Sequence, residues 1–158
     1  MAELDRELER LAASIDDRGR IVVTADHGFL DAGQPMRNHL RPSGDLMSAV
    51  SSAPSGDARV LYFHLRDGGE ARVREYFRRR YGARFLLITT DEAERKGLFG
   101  PGALSPRARS RLGDLMAISY GAHMIEYRMA WGIGRIMAQA SHHSGLTPSE
   151  MRVPLILA

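Results

Sequence analysis

Residues 21–28 read IVVTADHG, a short apolar run rich in β-branched residues that is followed by Asp26, His27 and Gly28. The run is typical of a buried strand in a parallel sheet, so we predict such a strand over 21–25. Ligands bind at the C-terminal ends of these strands in α/β folds. A carboxylate and an imidazole placed there are ligands that zinc and manganese accept. The alternative is that Asp26 only caps the next turn and His27 is simply exposed.

A second candidate site lies near the C-terminus, where residues 142–150 read HHSGLTPSE. Adjacent histidines on a loop can supply one metal ligand while the other ring points elsewhere. Thr147, Pro148 and Glu150 predict the start of a helix, with a threonine N-cap, proline at the first position and glutamate at the third. The alternative is a capped surface turn whose histidines bind nothing.

The rest of the chain alternates between helical and strand patterns. An amphipathic helix is predicted over 3–17, with an apolar stripe of Leu4, Leu8, Leu11 and Ile15. Residues 31–57 are rich in Gly, Pro, Ser and Asp, and we expect a long loop with little regular structure. A strand, helix, strand and helix are predicted over 60–63, 69–81, 85–88 and 91–96. These four elements indicate a small βαβα subdomain inserted into something larger.

The C-terminal third returns to apolar runs. Residues 115–118 and 123–125 are predicted to be paired strands around a turn at Tyr120-Gly121, and 153–157 a final buried strand. Residues 128–140 are rich in Met and Gly and fit no single pattern.

Length and composition bound the class of protein. The 158 residues, 44% hydrophobic and 26% charged, fit one domain or one domain with a small insert. We divide them into a core helix and metal-ligand strand (1–31), a loop and inserted α/β subdomain (32–112), and a return to the core with the second metal-ligand loop (113–158). Without cysteine there can be no disulfide, thiol nucleophile or cysteine-ligated zinc.

Targeting signals and charge exclude other classes. No apolar run approaches the roughly 18–20 residues of a membrane span, and the charged N-terminus is not a signal peptide. We therefore expect a cytoplasmic protein with no membrane partner. The net charge of +3, carried almost entirely by arginine, suits anionic ligands such as phosphates. It is too small to indicate nucleic acid by itself.

One basic stretch leaves an alternative open. Its arginines are Arg72, Arg74, Arg78, Arg79, Arg80 and Arg84. Such a helix could contact nucleic acid, with a steep salt dependence, but a solvated charged face is the more frequent explanation.

Together the two candidate sites resemble a known family. TADHG at residues 24–28, and HSGLTPSEM with the following VPLI at residues 143–156, are similar to the type I phosphodiesterase/nucleotide pyrophosphatase branch of the alkaline phosphatase superfamily. The usual family sequences are T-A-D-H-G and H-G-G-L-[ST]-P-E-E-M-x-V-P-L. Residues 97–101 and 111–115 also resemble the stretch that joins the family's insert to its core. The resemblance spans nearly the whole chain in order.

The resemblance implies a fold and a chemistry. The fold would be a partial alkaline-phosphatase-like α/β core, a mostly parallel sheet flanked by helices, with a small inserted βαβα subdomain. The family hydrolyses phosphoesters with two divalent ions, usually zinc, and a Ser or Thr nucleophile. By position, Asp26 and His27 would bind one ion and His143 would help bind the other. Ser144 and Ser149 replace a glycine and a glutamate of the family sequence, and neither is a ligand.

Other parts of the family's site have no counterpart here. The nucleophile, the first metal aspartate and an Asp-x-x-x-His pair lie upstream of the Asp-His-Gly strand in the family. No histidine of this chain has an aspartate four residues before it. We therefore assign no catalytic residue and expect the C-terminal portion of a metal-dependent phosphodiesterase/nucleotide pyrophosphatase, inactive without an N-terminal half.

Partners follow from that expectation. The completed site would take a phosphoester or nucleotide. A missing half would leave a strand edge or apolar face, to be buried by that half or by a second copy in a homo-oligomer. The alternative function is a non-catalytic binding or assembly module derived from the hydrolase fold.

Overall fold

A computed structural model describes residues 2–15, 19–40, 44–127 and 139–157. The helices are α1 (Ala2–Ile15), α2 (Gly44–Ala49), α3 (Gly69–Tyr81), α4 (Thr90–Arg95), α5 (Pro106–Leu112) and α6 (Pro148–Met151). The strands are β1 (Val22–Thr24), β2 (Leu30–Asp31), β3 (Arg37–Leu40), β4 (Ser55–Gly56), β5 (Val60–Phe63), β6 (Phe85–Thr89), β7 (Leu115–Ser119), β8 (Met124–Tyr127), β9 (Ser141–His142) and β10 (Leu155–Leu157). Short 3-10 turns cover Gln34–Met36 and Gly82–Arg84.

The largest sheet has four strands in the order β4-β5-β7-β6, with every neighbouring pair antiparallel. The predicted strand–helix–strand unit is confirmed as β5, α3 and β6. However, β7 lies between β5 and β6, so the unit is a split βαβ arrangement. The predicted short helix after β6 is also confirmed. It is α4, which begins at a capping box formed by Thr89 and Glu92.

The core lies on both faces of this sheet. All five residues of β7 are buried. Leu115 and Ala117 belong to an apolar cluster with α2 and α3, while Met116 and Ile118 pack with Ala93 of α4 on the opposite face. This alternation follows from the two-residue period of a strand, and it explains why β7 reads as a continuous apolar run.

Strand direction differs from the prediction. The α/β class is confirmed, but the described sheets are small and mostly antiparallel, and within these residues only β3 and β8 pair in parallel. The predicted buried parallel strand over 21–25 is β1, which pairs antiparallel with β10. No residue of β1 or β10 is buried, so the predicted burial of 153–157 is also wrong. Within the described residues, these apolar runs stay exposed.

Two further predictions are corrected. The expected loop over 31–57 contains β3, α2 and β4, because Leu40, Leu46 and Ala49 supply fully buried side chains to the core. Strands β7 and β8 do not pair with each other. Both edges of β7 are occupied by β5 and β6, so after the turn at Tyr120-Gly121 strand β8 pairs with β3. The ambiguous stretch 128–140 falls almost entirely outside the described residues.

Helix α1 matches the predicted helix, but none of its residues is buried. Leu4 and Leu11 of its apolar stripe are 58% and 47% exposed. The apolar stripe predicted for this helix is therefore exposed on its surface. Among the described helices, none has the length and hydropathy needed to cross a bilayer. The division into 1–31, 32–112 and 113–158 remains a prediction.

Candidate functional site

The Asp26-His27-Gly28 segment leaves β1 and packs against α6. The Gly28 N–H donates to the Glu150 carbonyl over 2.8 Å. A Cβ atom at Gly28 would lie 2.0 Å from the Ser149 carbonyl oxygen, closer than any side chain could tolerate. Glycine is therefore required here by the close approach of two backbones.

The second histidine reaches the same place through a short strand pair. Strand β9 pairs antiparallel with β2, which places His142 opposite Leu30 and His143 close to the Asp26-His27 segment. The His27 and His143 rings stack with centroids 3.8 Å apart and planes inclined by 12°. Phe29 meets both rings edge-on, at 5.1 Å and 5.4 Å. The structure thus brings together two predicted ligands from opposite ends of the chain.

Asp26 completes the predicted ligand set. Its Oδ2 lies 3.5 Å from His27 Nε2, and its side chain is 88% exposed. His27 Nδ1 is 3.0 Å from the Gly28 carbonyl oxygen. An Nδ1–H donated to that oxygen would leave the Nε2 lone pair on the side of the Asp26 carboxylate. Asp26 and His27 therefore present an oxygen and a nitrogen on one side of the site.

The stacked rings limit how metals could bind. An imidazole nitrogen binds a metal along its lone pair, which lies in the ring plane. Two nearly parallel planes cannot both contain one ion, so His27 and His143 would serve separate ions. Ions about 3.5–4 Å apart are typical of two-metal hydrolases.

The donor set is nevertheless small. No cluster of three or more His, Cys, Asp or Glu side chains able to hold a metal occurs among residues 2–15, 19–40, 44–127 and 139–157. Zinc sites have three or four protein ligands. The described residues therefore supply too few ligands to hold an ion tightly by themselves.

His142 and Ser144 flank His143 and behave differently from it. His142 is buried, whereas His143 is half-buried and faces His27, so only one of the adjacent histidines points into the site. Ser144 Oγ lies 3.2 Å from His143 Nδ1. Ser144 has a φ of +83°, the left-handed conformation that glycine adopts freely. A glycine would adopt this conformation at residue 144 without the strain that serine has there.

A buried ion pair fixes the site to the four-stranded sheet. Arg59, just before β5, donates from Nε and Nη2 to the two carboxylate oxygens of Glu150, each over 2.8 Å. Arg59 also donates to the carbonyls of Gly121 and His123. The Arg59 side chain is completely buried and that of Glu150 is 1% exposed. The pair is bidentate, the arrangement in which a buried arginine and carboxylate interact best.

Glu150 links both candidate segments. Its carboxylate accepts from the N–H of Gly145 and the hydroxyl of Thr147, and its backbone carbonyl accepts from Gly28. Burial raises the pKa of Glu150, but hydrogen bonds from Arg59, Thr147 and Gly145 outweigh it and lower the pKa to about 2. A charged Glu150 therefore holds the His143 loop and the His27 segment in one place.

The sequence revealed only half of this arrangement. The capping box of Thr147 and Glu150 was predicted from their spacing and is confirmed. Arg59 was missed, because its partner lies 91 residues away and no local pattern marks it.

Three of the six arginines in the basic stretch pair with acids of their own helix. Glu75 accepts hydrogen bonds from Arg78 and Arg79, and Glu70 accepts one from Arg74. Pairs three and four residues apart are typical of a solvated helix face. This part of the arginine run therefore favours the charged-face interpretation over a nucleic-acid contact.

Comparison with known proteins finds similarity in structure alone. No protein-family model matches the sequence, and no curated protein matches it. The structure is similar to human ectonucleotide pyrophosphatase/phosphodiesterase 5, with a TM-score of 0.64 and 10% identity over 98% of this chain and 39% of that one. The murine protein of the same name gives a TM-score of 0.58 and 12% identity over 98% of this chain and 37% of that one. The chain thus has the fold of part of these proteins and spans less than two fifths of their length.

Proposed function

We propose that this chain is the C-terminal portion of a metal-dependent phosphodiesterase/nucleotide pyrophosphatase, with a phosphoester or nucleotide as its substrate. The observation that carries the proposal is the stacking of His27 on His143. The two sequence motifs, from opposite ends of the chain, meet at the site, within a fold similar to part of ectonucleotide pyrophosphatase/phosphodiesterase 5.

Within this proposal, the roles are divided between the two histidines. Asp26 and His27 would be ligands of one divalent ion, zinc in the first instance, and His143 would be a ligand of another. Such ions would polarise the phosphate oxygens and stabilise the leaving oxygen. Glu150 and Arg59 hold the two ligand segments together but touch no reacting atom, so they are positioning residues. No residue of this chain is assigned as the nucleophile.

The remaining ligands and the nucleophile would come from an N-terminal half of the site. The apolar flank, which we define as Leu4, Leu11, Val22, Leu155, Ile156 and Leu157, supports this proposal. All six side chains are exposed, three of them by more than 58%. Large exposed apolar side chains of this kind are often covered at an interface. We propose that the complementary half covers the apolar flank, and a second copy of this chain would be the other outcome.

The experiment measures hydrolysis of bis(4-nitrophenyl) phosphate with zinc or manganese, by this chain alone and together with an N-terminal half carrying the missing motifs. We expect little turnover by the chain alone and metal-dependent turnover by the pair. His27→Ala and His143→Ala should each abolish that turnover. His64→Gln is the matched control, since His64 contacts the Ser110 carbonyl outside the site. If the pair stayed inactive although the two halves associated, the proposal would be wrong.

A second candidate function is a non-catalytic binding or assembly module. It is favoured by the small donor set at the His27–His143 site in the described part of the chain. The two functions are separated by zinc titration and light scattering. A stable oligomer of this chain that binds no zinc supports the module, whereas zinc binding that requires His27 and His143 supports the hydrolase.

A further inference from the structure

A cavity lies where α3 ends and the turn after β7 begins. It has a volume of about 780 Å³ and is lined by Met36, by residues 80–84 and by residues 120–123. The Tyr120 N–H donates to the Arg84 carbonyl over 2.9 Å, so the two segments lie side by side. None of its lining residues belongs to the His27–His143 site.

The wall of this cavity is positively charged and contains no acidic side chain. Arg80 and Arg84 line it, and no acidic side chain does. Among the described residues, neither arginine has a carboxylate oxygen within 4.0 Å, although Arg74, Arg78 and Arg79 on the same stretch all have one. Arg84 instead donates to the amide oxygen of Asn38 over 3.0 Å, which fixes its guanidinium without neutralising it. Arg80 is hydrogen-bonded to the Tyr81 hydroxyl, which is also a neutral partner, so both guanidinium groups keep an unneutralised charge.

Arg80 also borders a second depression, which differs from the cavity in the charge of its wall. That depression has a volume of about 660 Å³ and includes Asp45 and Glu75 in its wall. Acidic side chains make it unsuitable for an anion. The cavity beside Arg84 is the one with a single sign of charge.

His123 and Tyr120 also line the cavity. The Nδ1 atom of His123 is buried and has no hydrogen-bond partner in the described part of the chain. Burial and the nearby positive charges of Arg84 and Arg59 lower the pKa of His123, against a hydrogen bond with the Met36 backbone that raises it. The Tyr120 residue is 52% exposed, so its ring is accessible to a flat group.

We propose that this cavity binds a small ligand of the nucleoside monophosphate class, with its phosphate on Arg80 and Arg84 and its base against Tyr120. Arginine recognises phosphate through paired N–H donors, and aromatic rings stack on bases of any sequence. This assignment does not rest on the proposed function, because the two sites share no lining residue, although Arg59 donates to the carbonyls of Gly121 and His123 beside this cavity.

The experiment is calorimetric titration of the full chain with adenosine 5′-monophosphate, inorganic phosphate and adenosine. We expect saturable binding of the nucleotide, weaker binding of phosphate and weaker binding of adenosine. Arg80→Gln and Arg84→Gln should each weaken nucleotide binding about tenfold, the usual effect of losing one charge-assisted hydrogen bond. Raising the salt concentration should weaken it further.

The matched control is Arg78→Gln, which removes the same charge from the same helix but from a side chain paired with Glu75. It should change nucleotide affinity less than twofold, by the ordinary screening of a surface charge. Arg80→Gln keeps the test decisive if Arg84→Gln fails to fold, because Arg80 is exposed. The proposal is overturned if no nucleotide binding is detected, if adenosine binds as tightly as the nucleotide, or if Arg78→Gln and Arg80→Gln weaken binding equally. Loss of binding in His27→Ala would also overturn it, since the ligand would then occupy the other site.

Discussion

The four-stranded sheet and the β1–β10 ribbon both contain apolar strands, but those strands have opposite surroundings. In the four-stranded sheet, β7 is buried along its whole length between β5 and β6, with helices on both faces. In the two-stranded ribbon, β1 pairs with β10, and Leu155 and Leu157 are 69% and 71% exposed. The residue types are alike in the two regions. An apolar run therefore indicates that a strand requires a covering layer, but not that this chain supplies one.

The difference has an energetic meaning. Burying a large apolar side chain stabilises a fold by about 1.5–3 kcal/mol, and the ribbon forgoes most of that gain. The four-stranded sheet should therefore supply the stability of the isolated chain, and the ribbon should contribute to it only when it is covered.

The largest expected effect comes from Phe77→Ala in α3. Phe77 is 1% exposed and meets Phe63 and Phe85 edge-on. Its loss should lower the free energy of unfolding by about 3–5 kcal/mol. Leu157→Ala in β10 should lower it by less than about 0.5 kcal/mol, since an exposed side chain loses little on truncation. Urea denaturation of both variants tests the contrast, and equal losses would show that the ribbon is covered by this chain in solution.

The fold was predictable from sequence where elements are local. Helix α3 and strands β5 and β6 follow from the spacing of Val73, Phe77 and Tyr81 and from the apolar runs on either side. Pairing was not predictable, because the insertion of β7 between β5 and β6 depends on contacts far apart in sequence. The parallel direction assigned to 21–25 came from its continuous apolar character, which an uncovered antiparallel strand shares.

The next largest effect should come from Glu150→Gln, which tests whether one ion pair joins the ribbon side of the molecule to the sheet. Glutamine has a single acceptor oxygen, so it cannot replace both the Gly145 bond to Oε1 and the Thr147 bond to Oε2, and it leaves the buried Arg59 charge without an anionic partner. We expect the free energy of unfolding near neutral pH to fall by about 3 kcal/mol.

The same pair predicts a pH dependence. The folded pKa of Glu150 is about 2, below the ordinary value of 4.5, so its stabilisation is present above about pH 4.5 and is lost as the pH falls towards 2. Glu150→Gln should flatten this part of the curve. Glu75→Gln is the control: hydrogen bonds from Arg78 and Arg79 also lower the pKa of Glu75 to about 2, but its side chain is 41% exposed. An equally large change in Glu75→Gln would contradict the importance of burial.

The sequence predicted which residues belong to the candidate site, but not what supports them. Asp26 and His27 were selected because they follow an apolar run, and His143 because of the family resemblance; their role as metal ligands stays a prediction. The contact between their segments depends on the Gly28 N–H reaching the Glu150 carbonyl and on Arg59, which belongs to a different element. Neither relation has a local sequence pattern.

The smallest effect concerns the loop that carries His143. Ser144 holds a left-handed φ of +83°, so Ser144→Gly should relieve backbone strain and raise the free energy of unfolding by up to about 1 kcal/mol, after the entropy cost of glycine in the unfolded chain. Ser149→Gly makes the same chemical change inside α6, where glycine disfavours the helix, and should lower it by about 0.5 kcal/mol. Chemical denaturation of the two variants gives opposite signs if the loop has the described conformation. A loss of stability in both would mean that the 3.2 Å contact between Ser144 Oγ and His143 Nδ1 stabilises the loop more than its backbone strains it.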